Sequence, residues 1–183
     1  MNKLISEETK YDGRRFKIIQ KKYERPDGLT IIRDCVNPGD AVIILAIDEN
    51  DEVVFINQYR ETIEKVALEL PAGMIDENED PKDAARRELE EETGIKAKSI
   101  EYLTSCHTSA GYTAERIFVY LAKDFEYGNQ HLDETEEILS IKKIHIDECM
   151  KMIQEDKIDH ASVYIAIQPY YYKYHKRRIK WIN

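Results

Sequence analysis

GMIDENEDPKDAARRELEEETGI, residues 73–95, has nine positions at fixed spacing that each carry a characteristic residue type. A glycine stands at its head, Glu79 follows after five residues, and Arg87-Glu88-Leu89 follows after seven more. Glu91-Glu92 and Gly94-Ile95 close the pattern. At average residue usage, a random window would match with a probability of roughly one in a billion. Chance therefore does not explain the pattern.

Local residue types within this segment predict a helix with defined ends. Asp80 is a favourable N-cap, and Pro81 suits the first helical position, where its missing N–H costs nothing. Asp83 adds negative charge in the first turn, where the helix dipole favours it. Gly94 supplies the left-handed residue that ends a helix. We therefore predict a helix that begins after Asp80 and ends before Gly94.

Three glutamates of this predicted helix share one face. Glu88, Glu91 and Glu92 follow one another at i, i+3 and i+4. Like charges this close destabilise a helix unless a cation lies among them, and Mg²⁺ prefers hard oxygen ligands such as carboxylates. The alternative is a solvated acidic face, which is what most charge runs are. The metal site is favoured over a solvated face because Gly73, Glu79, Arg87 and Gly94 stand at the spacing that the pattern requires.

Composition restricts the function classes. The 183 residues suit one domain with an accessory segment, and the net charge of −9 with a pI near 5.2 argues against a nucleic-acid-coating surface. Cys35, Cys106 and Cys149 are odd in number and lack metal-ligand spacing, as expected for reduced thiols of a cytosolic protein. The chain start lacks a signal-peptide pattern, and no apolar run is long enough to span a membrane. We expect a cytoplasmic protein without nucleic-acid or membrane partners.

The remaining chain predicts an α+β domain, residues 40–183, preceded by a small β accessory segment, residues 1–39. Predicted strands are Phe16–Gln20, Leu29–Val36, Ala41–Ile47, Val53–Gln58, Ser99–Ser105, Arg116–Leu121 and Ile138–Ile146. The turn at residues 48–52 predicts that the strand from Val53 is the hairpin partner of the strand from Ala41. Two helices, Asp147–Gln154 and Ala161 to about Tyr172, are expected to follow, the second interrupted near Pro169.

The nine-residue pattern resembles the signature of the Nudix hydrolases. Neighbouring segments resemble the ADP-ribose pyrophosphatase and nucleoside diphosphate sugar hydrolase branch; they are Gln58-Tyr59-Arg60, Glu69-Leu70-Pro71-Ala72-Gly73, residues 109–115 (SAGYTAE), residues 134–138 (ETEEI) and residues 157–168 (KIDHASVYIAIQ). The likeness covers about residues 30–168. It implies the Nudix fold, a mixed β-sheet sandwiched between helices.

The resemblance also implies a set of site residues. Metal ligands would be the carboxylates of Glu88, Glu91, Glu92 and Glu136 and the backbone carbonyl of Ala72. Catalytic residues would be Glu134, which would orient and deprotonate the attacking water, and Glu91. Substrate-binding residues would be Arg60 on the diphosphate and Ser109, Ala110, Gly111 and Glu115 around the terminal sugar. Arg87 would be structural, and the alternative for residues 134–137 is a solvated loop.

The implied activity is Mg²⁺-dependent hydrolysis, with Mn²⁺ as a substitute metal. ADP-ribose or a related nucleoside diphosphate sugar would yield a nucleoside monophosphate and a sugar phosphate. Relatives of this branch are homodimers that exchange N-terminal strands, so a homodimer is expected. This branch usually has proline where the chain has Ala110, which leaves GDP-mannose, NADH and dinucleoside polyphosphates open as substrates. A ligand sensor without turnover is the alternative from another class.

Overall fold

A computed structural model describes residues 1–132 and 137–175. The chain divides into two compact units. The first comprises Met1–Ala41 and Ser105–Ile117, and the second comprises Val42–Thr104 and the chain from Phe118 onward. The first unit therefore contains the predicted accessory segment and, in addition, a later stretch of the chain.

The first unit contains a three-stranded antiparallel sheet in the order β1-β2-β3. Its strands are β1 (Lys3–Asp12), β2 (Lys17–Glu24) and β3 (Thr30–Asn37). The two predicted strands of this segment are confirmed as β2 and β3. The strand β1 was not predicted, because all of its residues are exposed and its sequence therefore lacks a buried, alternating face.

Within residues 1–132 and 137–175, seven further strands form two sheets. They are β4 (Ala41–Ala46), β5 (Glu52–Arg60), β6 (Lys65–Glu69), β7 (Ala72–Met74), β8 (Ile95–His107), β9 (Arg116–Tyr127) and β10 (Ile138–His145). One sheet has the order β10-β5-β6, and the other has the order β7-β4-β9-β8. The helices are α1 (Pro81–Thr93), α2 (Ile146–Gln154) and α3 (Ala161–Tyr170), the last followed by a π-helical turn, Tyr171–His175. These elements confirm the predicted α+β class.

The predicted hairpin of β4 and β5 is wrong. These strands lie in different sheets, and a single bridge between Ile47 and Val53 joins the ends of the two segments. Asp51 adopts a left-handed φ of 56° in the turn between them. Residues 42–46 and 53–58 are each buried without interruption. Strands buried on both faces show no alternation, so their sequences do not indicate which neighbour each will take.

Helix α1 packs on the core of the second unit through its apolar side. Ala84, Ala85 and Leu89 are fully buried in a cluster that includes Val42, Ile44 and Tyr120. This packing fixes the rotation of the helix about its axis, and with it the directions of its glutamates. Pro169 lies inside α3, and the α-helix changes two residues later into the π-helical turn Tyr171–His175, so the predicted interruption takes the form of a change in helix type. Among the described residues, no helix is both long and apolar enough to cross a membrane.

Candidate active site

The predicted ends of α1 are confirmed. The Asp80 carboxylate accepts a hydrogen bond of 2.8 Å from the Lys82 N–H, and Pro81 is the first helical residue. Gly94 has a φ of 73° and donates its N–H to the Glu90 carbonyl. A β-carbon at Gly94 would lie 2.6 Å from the Gly128 carbonyl oxygen. Both this close approach and the left-handed φ therefore favour glycine at this position.

Glu88 lies on the buried side of α1 against the backbone of Gly73. The residue is 6% exposed. A β-carbon at residue 73 would lie 1.9 Å from the carboxyl carbon of Glu88 and 2.1 Å from one of its oxygens. Glycine at the head of the pattern therefore provides the space that the Glu88 carboxylate occupies.

Glu92 joins the same helix to strand β7. Its side chain accepts a hydrogen bond of 2.9 Å from the Ala72 N–H, and the residue is 2% exposed. Because this bond fixes the peptide of Ala72 relative to α1, the predicted backbone ligand and two of the predicted carboxylate ligands belong to one small region of the second unit.

Arg87 holds this region together, as the sequence predicts. Its Nε and Nη2 atoms each donate a hydrogen bond of 2.9 Å to Glu79, and Nη2 also contacts the Met74 carbonyl at 3.0 Å. Its Nη1 atom lies 2.7 Å from Glu88 and 3.1 Å from Glu91. These carboxylates, Glu79 first, raise the pKa of the Arg87 guanidinium above its usual range. The arginine thus offsets part of the negative charge of Glu79, Glu88 and Glu91.

The predicted ligands do not converge on one point in this structure. Across residues 1–132 and 137–175, no three His, Cys, Asp or Glu side chains are arranged as a metal cluster. Glu88 and Glu91 face Arg87, whereas Glu92 faces Ala72. All three carboxylates therefore lie on α1, Glu92 beside Ala72 and the other two beside Arg87.

The ion pair of Glu79 and Arg87 predicts a pH-dependent stability. The hydrogen bonds from Arg87 hold the pKa of Glu79 below its ordinary value of 4.5. A carboxylate with a lowered folded-state pKa stabilises the fold at pH values above the ordinary value, and this contribution is lost as the pH falls below it. Glu79→Gln is expected to lower the Tm by about 2–4 °C near neutral pH, which is the shift that about 1 kcal/mol makes in a domain of this size.

Thermal unfolding monitored from about pH 7 to about pH 3 checks this prediction. The Tm difference between the wild type and Glu79→Gln should shrink as the pH falls below the ordinary value of 4.5 and through the lowered pKa of Glu79. A difference that is constant over this range would show that the charge of Glu79 does not contribute.

Glu134 and Glu136 lie outside the described residues. The chain that precedes them is hydrogen-bonded to the C-terminal end of α1. Gly128 N–H donates to the Gly94 carbonyl at 2.7 Å, and His131 N–H donates to the Glu91 carbonyl at 2.9 Å. Gln130 Nε2 donates to the Glu92 carbonyl at 2.5 Å. Sequence reasoning missed these contacts, because a backbone carbonyl leaves no residue-type signal of its partner.

Arg60 is held by a buried carboxylate. Its Nε and Nη2 atoms donate hydrogen bonds of 2.8 Å and 2.7 Å to the two oxygens of Glu69, which is 1% exposed. His160 Nε2 lies 3.4 Å from the same carboxylate. The sequence predicts Arg60 as a diphosphate contact, but it assigns no role to Glu69 or His160.

The loop of residues 109–115 belongs to the first unit and is internally bonded. The N–H groups of Tyr112 and Thr113 donate to the Ser109 carbonyl at 3.1 Å and 3.0 Å. The Thr108 hydroxyl donates to the Glu115 carboxylate at 2.5 Å, and the Val36 N–H donates to the Tyr112 carbonyl at 2.8 Å. These hydrogen bonds hold the two ends of the loop and involve no side-chain atom of residue 110.

A cavity of about 480 Å³ adjoins this loop within the first unit. Ala110 and Gly111 line it together with Lys21, Tyr23 and Arg33 from the sheet. A β-carbon at Gly111 would meet no atom within 4 Å, so nothing in the protein requires glycine there. Two of the four predicted sugar-binding residues thus border a cavity with cationic and aromatic walls.

A model of the NUDIX domain matches residues 37–166. The chain belongs to the NUDIX family. Its resemblance to the Nudix hydrolases is thereby confirmed, and the segment of residues 73–95 is the NUDIX signature that carries Glu88, Glu91 and Glu92.

Two curated relatives and one solved structure are similar over most of their lengths. This NUDIX chain is 36% identical to a methanol dehydrogenase activator of Bacillus methanolicus, over 91% of the chain and 90% of the relative. It is 30% identical to an ADP-ribose pyrophosphatase of Bacillus subtilis, with the same coverage. The crystal structure of an ADP compounds hydrolase matches 96% of the chain and 95% of that structure with a TM-score of 0.84 at 22% identity. The last comparison confirms the predicted fold.

Proposed function

We propose that this NUDIX protein hydrolyses the diphosphate bond of ADP-ribose or a related nucleoside diphosphate sugar. The observation that carries the proposal is the pair of buried glutamates, Glu88 and Glu92, held on α1 beside Ala72 and Gly73. The ADP-ribose pyrophosphatase of Bacillus subtilis, 30% identical over 91% of this chain, supports the substrate class. The products would be a nucleoside monophosphate and a sugar phosphate.

The donor set suits Mg²⁺, or Mn²⁺ in its place. Carboxylates and a backbone carbonyl are hard oxygen ligands, and Mg²⁺ commonly takes a few of them while it keeps waters and substrate phosphate oxygens. We assign Glu88, Glu92 and the Ala72 carbonyl to one ion, and Glu91 and Glu136 to a second. A bound divalent metal would offset the charge of the diphosphate and lower the pKa of an attacking water.

Proton transfer is assigned to Glu134, which follows β9 in the chain. Glu134 would accept the proton of the water that attacks phosphorus, an effect typically worth about 10²–10⁴-fold. The bond between that phosphorus and the bridging oxygen breaks, and the bridging oxygen leaves with the other phosphate. The contacts of Gln130 and His131 with α1 support this assignment, because they hold the preceding chain against the helix that carries Glu91 and Glu92. Glu91 is the second candidate for the base.

Substrate recognition is assigned to Arg60 and to the loop of the first unit. The planar guanidinium of Arg60 matches the oxygens of a diphosphate, which it can bind through two parallel hydrogen bonds. Ser109, Ala110, Gly111 and Glu115 would contact the terminal sugar. The cavity beside Ala110 and Gly111 supports this role, since its volume of about 480 Å³ is in the range of small-molecule sites.

Ala110→Pro is expected to preserve the fold and to sharpen substrate choice. The bond from Tyr112 N–H to the Ser109 carbonyl makes Ala110 the second residue of a four-residue turn, where proline is favoured. Proline would stiffen the loop and raise the preference for ADP-ribose over other sugar nucleotides, by about three- to tenfold if its fixed φ stabilises the binding geometry by about 1 kcal/mol. The Tm and kcat/KM values for ADP-ribose and GDP-mannose test this, and a loss of stability would show that the turn rejects proline.

The test of the proposed function is release of a nucleoside monophosphate from a substrate panel with Mg²⁺. ADP-ribose, GDP-mannose, UDP-glucose and NADH are compared at equal concentration. A higher kcat/KM for ADP-ribose supports the specific activity. An equal or shifted profile supports hydrolysis of another diphosphate, the second candidate, which Ala110 leaves open.

A sensor or activator without turnover is the remaining candidate. The relative named as a methanol dehydrogenase activator, 36% identical, is the observation that keeps it open. Retention of Glu88, Glu91 and Glu92 counts against it, because these are the carboxylates assigned to the metal that hydrolysis needs. Failure to cleave any member of the panel would bring this candidate forward.

We further propose a cytoplasmic homodimer. A second subunit would cover exposed apolar side chains of the first unit. These side chains are Leu4, Ile5, Tyr11, Phe16, Leu29 and Ile32. The three free cysteines fit a reducing compartment. Light scattering after size-exclusion chromatography would give the mass of a dimer, and a monomeric mass would contradict the assembly.

A further inference from the structure

Glu69 is a buried carboxylate to which neither metal binding nor proton transfer has been assigned. It is 1% exposed at the end of β6, and it precedes the Pro71-Ala72-Gly73 segment. Burying a carboxylate is costly unless a partner compensates its charge. Arg60, on the adjacent strand β5, is that partner.

The contact between Glu69 and Arg60 fixes an orientation. Both carboxylate oxygens accept hydrogen bonds from one edge of the guanidinium, through Nε at 2.8 Å and Nη2 at 2.7 Å. Two parallel bonds to a planar group restrict its orientation more than one bond does. Glu69 therefore restricts the direction in which the Nη1–Nη2 end of Arg60 points.

His160 supports Glu69 from the start of α3. Its Nδ1 atom lies 2.7 Å from the hydroxyl of the buried Ser162, and its Nε2 atom lies 3.4 Å from the Glu69 carboxylate. Burial lowers the pKa of His160, which favours the neutral ring. The Nδ1 atom thus pairs with the Ser162 hydroxyl while the Nε2 atom faces Glu69, and the neutral tautomer that donates to Glu69 is the one with its proton on Nε2.

We propose that Glu69, supported by His160, is a positioning residue that aims the Arg60 guanidinium at the substrate diphosphate. The proposal rests on the proposed function in one respect, the role of Arg60. Glu69 acts through Arg60 and does not itself touch substrate. Because Arg60 is already ordered before substrate binds, binding involves a smaller loss of side-chain entropy.

The test is a double-mutant cycle on binding and turnover. Arg60→Ala, Glu69→Gln and the double variant are compared for the Kd of ADP-ribose without metal, by calorimetry, and for KM and kcat with Mg²⁺. Glu69→Gln is expected to raise Kd and KM about tenfold with a smaller change in kcat, and in the Arg60→Ala background it should add less than about twofold. Added guanidinium should rescue Arg60→Ala, but it should not rescue the double variant.

A matched control and a second variant keep the test decisive. Lys65 and Asp159 form an exposed ion pair beside this cluster, and Lys65→Ala should leave Kd unchanged. Where Glu69→Gln is unfolded by circular dichroism, His160→Ala takes its place, with an expected rise in Kd of about threefold that disappears in the Arg60→Ala background.

Additive effects of the two substitutions, or an Arg60→Ala variant that binds as the wild type does, would overturn the positioning role. If the wild type binds ADP-ribose but cleaves nothing, the proposed hydrolysis fails, whereas the binding cycle still decides the role of Glu69. If it cleaves ADP-ribose and the cycle is additive, the hydrolysis stands and the positioning role fails.

Discussion

Glu92→Gln is expected to reduce ADP-ribose hydrolysis by about 10²–10³-fold or more, as losing one group that stabilises the transition-state charge does. Glutamine keeps the shape of the side chain and an oxygen that can accept the Ala72 N–H, which now donates to Glu92 at 2.9 Å. The fold should therefore survive, whereas the charge that a divalent metal needs is removed. Turnover at saturating ADP-ribose and Tm are measured together.

Glu90→Gln is the matched control for this prediction. Glu90 lies on the same helix, but its side chain is 40% exposed and pairs with the exposed Lys96 at 3.1 Å. The control should retain wild-type turnover, because an exposed ion pair contributes little. If Glu92→Gln turns over at the rate of Glu90→Gln, Glu92 is not a metal ligand.

Gly73→Ala is expected to lower turnover by about 10²-fold or more, comparable to losing a ligand group, with only a modest loss of stability. The new β-carbon would lie 1.9 Å from the carboxyl carbon of Glu88, so the Glu88 side chain must rotate away. Rotation separates Glu88 from Arg87, which is 2.7 Å away, and from the position assigned to the metal. The side chain is flexible at its end, so the backbone of α1 can stay in place.

The effect of Gly73→Ala is tested by combining it with Glu88→Ala. Because the substitution acts through the Glu88 carboxylate, adding it to a chain that lacks this carboxylate should change turnover by less than about threefold. The Mn²⁺ affinity, measured by paramagnetic resonance, should fall in both single variants. Multiplicative losses of turnover would instead indicate that Gly73 serves another purpose.

Local chemistry explains which parts of the fold were predictable. Helix α1 was placed correctly because Asp80, Pro81 and Gly94 act within a few residues of one another. Strand β1 was missed because it is exposed throughout, and the hairpin of β4 and β5 was wrong because strands buried on both faces carry no sign of their neighbours. Sheet partnership is a tertiary property that sequence periodicity does not report.

The candidate site also has a part that the sequence predicts and a part that it does not. The glutamates of α1 and Arg87 could be predicted because their spacing on one helix sets their relation, and the structure adds the contacts of Glu88 with Gly73 and of Glu92 with Ala72. The triad of Arg60, Glu69 and His160 could not be predicted, since it joins two strands to the start of a distant helix. The contacts that orient functional groups thus come from packing between elements.

Product analysis of ADP-ribose incubated with the protein tests the central claim most directly. Phosphorus NMR and chromatography would follow the reaction with Mg²⁺ and with Mg²⁺ removed by a chelator. Hydrolysis at the diphosphate predicts AMP and ribose 5-phosphate in equal amounts, formed only with the metal. Intact ADP-ribose in the presence of Mg²⁺, or products formed equally well without any divalent metal, would contradict it.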